Sequence, residues 1–252
     1  MTHQETLFNY TLRLGDNALI LGHRLGEWCS KAPILEEDLA ITNMALDLIG
    51  RAEVLLKYAG EIEGKGRSEN DLAYKRAERK FQNFLLLEQP NGDFAFTIAR
   101  QLYNSVFEYF YYTELLNSKD TQIAAIAAKA IKEIKYHLKH AHDWTIRLGD
   151  GTDESKLRMQ KAINELWMFT GEFFEKDEID EMMNEFGIAP DPASLKGAWL
   201  SMIMDTLNEA GLQIPETNYM QTGSKNGVHS EHLGYILAEM QYLQRAYPDA
   251  KW

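Results

Sequence analysis

The stretch "EIKYHLKHAHDW", residues 133–144, places one glutamate and three histidines within twelve positions of an acidic chain. Read outward, it lies inside a longer pattern in which Ile123, Ala127, Ala130, Ile134, Leu138, Ala141 and Leu148 recur at three- and four-residue steps. That period makes a long amphipathic helix, with Asp120 as its N-cap and "GDGTD", 149–153, as its stop. The direction of the polar groups then matters. At ~100° per residue His137 lies roughly 60° off the apolar stripe, Glu133 about 100° and His140 about 120°. They form a flank with Trp144 beside them, so the stretch reads as a polar packing seam.

The same period governs the rest of the chain. Val, Ile and Thr never alternate in steps of two, and Pro33, Pro90, Pro190, Pro192 and Pro215 fall where the helical pattern breaks. Long helices are predicted over about 4–29, 36–59, 93–117 and 120–148, with Gly60 terminating the second. Shorter ones are expected over 71–87, 154–175, 177–186, 192–211 and 231–246, the last capped by Ser230. Four long helices with continuous apolar stripes and short connections make an all-α four-helix bundle with additional peripheral helices. No repeat or internal boundary divides it, so one domain over 1–252 is expected.

Four-helix bundles that hold paired iron take a lone Glu from each of two helices and a Glu-x-x-His from each of the other two. The i, i+3 spacing turns both donors to the same side. None of the 38 acidic residues here has a histidine three positions later. Glu133 with His137 is four apart, and Asp47-Leu48-Ile49-Gly50 has glycine where the imidazole belongs. Metal: none is the reading. A self-sufficient metal-dependent oxidoreductase would have to rely on Glu108, Glu133, His137 and Asp47.

A formal charge of −12 argues against a nucleic-acid binder, since the whole surface repels phosphate backbones. Cys29 is the single cysteine, which rules out an internal disulfide and a cysteine-built metal site. With no long apolar run and no signal-like start, no membrane attachment and a cytoplasmic location are expected. Two features stand out against this background. Phe107, Tyr109, Phe110, Tyr111 and Tyr112 ring a helix with more aromatic surface than one core uses. Lys75, Arg76, Arg79 and Lys80 crowd four cations into six positions, at a spacing that would line one side of a helix.

Several long stretches carry a resemblance: "YTLRLGDNALILGHRLGEWC", "LEQPNGDFAFTIARQ", "AIAAKAIKEIKYHLKHAHDW", "LGDGTDES" and "SEHLGYILAEMQYLQR". Together, and in this order, they resemble the non-catalytic subunit of the bacterial ring-1,2-phenylacetyl-coenzyme A epoxidase of phenylacetate catabolism. The resemblance implies a ferritin-like bundle without catalytic residues or a cofactor of its own. Its partners would be a homologous catalytic subunit that keeps the di-iron centre, a reductase drawing on NADPH, and phenylacetyl-CoA held by the complex; a homodimer of the chain alone stays open. It also lends the basic cluster a ligand, because clustered Lys and Arg hold phosphates such as those of coenzyme A. The expected contacts are Lys80 to phosphate, Phe81 against the adenine, and Gln82 and Asn83 at its edge. Glu181, Met182 and Met183 are a further candidate set for the same ligand, methionine adapting readily to flat rings.

Overall fold

The computed structural model describes residues 1–248 and 250; among these there is no strand. The chain gathers into two compact units, one made of Met1–Pro90 with the segment from Gly223 onward, the other of Asn91–Thr222.

In the first unit, α1 (His3–Gly26) opens on a reciprocal capping box between Thr2 and Glu5. It packs along α2 (Leu35–Glu63). Two glycines set the approach: a Cβ on Gly15 would lie 2.8 Å from Leu56 Cδ2, and one on Gly22 2.9 Å from Ile49 Cδ1. Tyr10, Ile20, Leu21, Leu25, Leu48 and Leu55 are sealed in the resulting core. Gly60 does not end α2, as its sequence position suggested. The helix runs on to Gly64, whose left-handed φ of 70° and N–H bond to the Gly60 carbonyl terminate it. Gly60 instead gives room to the Arg67 carbonyl, with which any Cβ there would collide.

The single helix expected over 71–87 is replaced by α3 (Glu69–Tyr74), a 3₁₀ turn at Glu78–Lys80, extended backbone, and α4 (Leu85–Glu88). Side chains of α1 take the backbone donors that a helix would have used. Asp16 accepts from the Gln82 N–H at 3.0 Å and Asn17 from the Phe84 N–H at 2.9 Å. Asp16 also receives the Arg76 guanidinium, which drives the chain across α1 rather than along a helix of its own.

The second unit holds α5 (Phe94–Leu115) and α6 (Thr121–Gly149) as a long hairpin, with α7 (Asp153–Trp167), α8 (Glu178–Glu185) and α9 (Lys196–Glu209). Asp93 and Asp120 cap α5 and α6, accepting from Phe96 and from Gln122 and Ile123. Its centre is aromatic. Phe107 stacks on Phe173 at 4.7 Å, the Tyr103 hydroxyl donates to the Ile163 carbonyl at 2.9 Å, and the Trp199 indole donates to the Tyr103 carbonyl at 3.0 Å. This answers for most of the aromatic run: Phe107, Tyr111 and Tyr112 are buried, while Tyr109 and Phe110 are half-buried and meet edge-on.

The chain then returns to the first unit with α10 (Glu231–Met240) and α11 (Tyr242–Ala246). Two long hairpins with shorter helices make the fold all-α, consistent with the ferritin-like class. Among the described residues no helix is long and apolar enough to cross a membrane.

Candidate functional site

The break after α3 turns a sequence cluster into a cleft. A cavity of about 570 Å³ in the first unit is lined by Arg67, Lys75, Arg76, Arg79, Lys80 and Lys225, together with Phe8 and Leu12 of α1 and Gln82. Among the described residues no Asp or Glu lines it. Six cations line it in a chain of net charge −12.

The six do different jobs. Arg67 forks onto Glu63 at 2.5 and 2.7 Å, and Lys75 meets Asp71 at 2.6 Å. The Lys75 ammonium and the Ser68 cap lower the Asp71 carboxyl to about 2. Arg76 is structural: buried, paired with Asp16, it donates to the Lys80 carbonyl at 2.9 Å and lies 4.0 Å from the centre of the Phe81 ring. Arg79 and Lys80 are exposed, and neither has a carboxylate partner among the described residues.

Of the predicted contacts, Lys80 and Gln82 line the cleft. Gln82 is held from both sides, accepting from Arg13 at 3.4 Å and donating to the Lys225 carbonyl at 3.2 Å. Phe81 and Asn83 point inward and are fully buried. Glu181, Met182 and Met183 lie on α8 of the second unit, where Glu181 is exposed, Met182 half-buried and Met183 part of the core.

The signal missed in the sequence is a buried pair beneath the cleft. His229 Nδ1 faces Glu88 Oε2 at 2.9 Å and its Nε2 faces the Phe81 carbonyl at 2.8 Å, both side chains being shielded from solvent. Ser230 donates its N–H to Glu88 Oε1 at 2.6 Å, and Asn83 its amide to Oε2 at 3.1 Å. Ser230 therefore stands at the start of α10 without capping it through its hydroxyl. The imidazolium form of His229, with a proton on each nitrogen, donates to both oxygens. Burial pulls His229 down, but the bond to Glu88, that carboxylate's charge, the Phe81 carbonyl and the charge of Asp16 hold it above its ordinary value. From the other side Gln241 donates to the Ala73 and Arg76 carbonyls at 3.1 Å, and Arg245 to that of Arg76 at 2.9 Å. The loop carrying Lys80–Asn83 is thus fixed by residues more than 140 positions away.

On the flank of α6, His137 is buried and Glu133 and His140 are half-buried. Glu108 is buried too. Among the described residues no three His, Cys, Asp or Glu side chains gather closely enough to hold a metal. The donor set does not fit a di-iron centre of the Glu-x-x-His kind.

The family described as phenylacetic acid catabolic protein matches residues 1–252. Over 243 residues, 96% of this chain and 98% of the relative, the sequence is 54% identical to the C subunit of the 1,2-phenylacetyl-CoA epoxidase of Escherichia coli (strain K12). The chain, with its all-α architecture, belongs to the phenylacetic acid catabolic protein family.

Proposed function

We propose that this chain is a non-catalytic supporting subunit of a cytoplasmic phenylacetyl-CoA epoxidase, and that its basic cleft receives the phosphates of the coenzyme A moiety. The single observation that carries the ligand half is the six-cation, carboxylate-free lining of the cleft. Coenzyme A bears a diphosphate and a 3′-phosphate, and guanidinium and ammonium groups on one wall suit that charge. The absence of any Glu-x-x-His pair supports the other half, with the oxygen-activating iron assigned to a homologous catalytic subunit. The similarity to a protein named as an epoxidase subunit supports the assembly.

The experiment is titration of coenzyme A and of pantetheine into the assembled complex carrying Arg79→Glu and Lys80→Glu. Coenzyme A affinity falls tenfold or more, about 1.4 kcal/mol for each factor of ten, while pantetheine, which lacks these phosphates, binds as to wild type. Unchanged coenzyme A affinity removes the cleft from the substrate site.

A further inference from the structure

The outward side of α2 is apolar where a solvated helix would be polar. Leu35, Leu39 and Leu46 are 71, 57 and 64% exposed, Ile34 just before the helix is 49% exposed, and Val54 beyond is 37% exposed. With half-buried Thr42 the positions 35, 39, 42 and 46 follow a 4-3-4 spacing, which at ~100° per residue falls within roughly 60° of arc. This is the narrow seam of one helix lying along another rather than a broad core face. At ~1.5 Å per residue it runs about 16 Å, three turns. The four large exposed side chains Ile34, Leu35, Leu39 and Leu46 bring the patch into the few-hundred-Å² range that only the largest patches of ordinary monomers reach.

The rim identifies the occupant. Beside the seam stand Glu36 and Asp38, with Asp47 farther round the helix; Glu53 falls on the seam line itself, seven residues past Leu46, and the one basic residue between Leu35 and Val54, Arg51, is buried. Two copies of the chain joined through this seam would bring acidic rim against acidic rim, which is costly. A helix with an apolar seam and lysine or arginine at its edges meets both the leucines and the carboxylates.

We propose that this face of α2 seats a basic-edged amphipathic helix of another subunit of the epoxidase complex. The inference rests on the reading of the chain as an epoxidase subunit and adds the surface and its chemistry.

The test is assembly of the full chain with the purified catalytic subunit, measured by analytical ultracentrifugation. Leu39→Glu with Leu46→Glu weakens assembly a hundredfold or more while the melting temperature of the chain alone is unchanged, because both side chains are already solvated. Glu36→Lys with Glu53→Lys weakens it about tenfold at low ionic strength, an effect that fades in salt. Wild-type assembly that the leucine variant leaves intact overturns this inference and spares the proposed function. Tighter assembly after charge reversal overturns it as well, by making the partner's edge acidic. Dimerisation of the wild-type chain alone that the leucine variant abolishes would make a second copy the occupant. Failure of the wild-type chain to assemble at all takes down the proposed function, and this inference with it.

Discussion

Glu88 has its two oxygens divided among three donors, and each comes from a different residue: Ser230 N–H, the Asn83 amide and the His229 ring. Breaking a buried pair by removing one member leaves the other charge uncompensated, so Glu88→Ala costs about 3–5 kcal/mol in urea unfolding. The His229 contribution depends on pH. Its folded value is raised above the ordinary 6.5, so the stabilisation is complete below that pH and drains away as pH climbs through the raised value. His23, whose imidazolium burial disfavours, pulls the opposite way and loses stability as pH falls. The difference between wild type and His229→Gln isolates the first effect: it is largest in mild acid, shrinks toward alkaline pH, and is read from paired melting curves.

Two glycines of α2 make opposite predictions from the same helix. Gly50 has open space where a Cβ would go, so Gly50→Ala stabilises by about 0.5–1 kcal/mol through helix propensity alone. Gly60→Ala forces the Arg67 carbonyl away and destabilises by about 1–3 kcal/mol, since the obstacle is backbone rather than a flexible side-chain tip. Thermal unfolding of the two variants checks both signs. Elements also differ in how far they were legible beforehand. The long helices and the cap Asp120 follow from period and local chemistry, and both survive in the fold. The break over 75–84 does not, because the bonds that decide it come from Asp16 and Asn17, more than 60 positions away. Likewise Lys75, Arg76, Arg79 and Lys80 cluster visibly in one stretch. Arg67 and Lys225 join them only through tertiary structure, and the Glu88–His229 pair, 141 positions apart, leaves no local trace.

At the scale of the whole molecule, the charge of −12 and the carboxylate-free cleft together predict how ligand binding answers to salt. Coenzyme A affinity of the complex falls steadily as ionic strength rises, because the attraction is local and partly exposed while the surrounding field is repulsive. Elemental analysis bears on the division of labour. The isolated chain carries far less than one iron per polypeptide after loading with ferrous iron, and about two per chain, the complement of a di-iron bundle, would mean an independent metal enzyme instead.

The discontinuous make-up of the first unit has a consequence for biosynthesis. Its N-terminal ninety residues leave the ribosome well before Gly223 is translated, and the intervening unit can be complete in the meantime. Until His229 and Ser230 emerge, Glu88 and the groove that α10 and α11 will fill have no native cover. Nascent chains stalled anywhere between about residue 90 and the C-terminal helices should therefore present a folded middle and a protease-sensitive beginning, the state most in need of a chaperone.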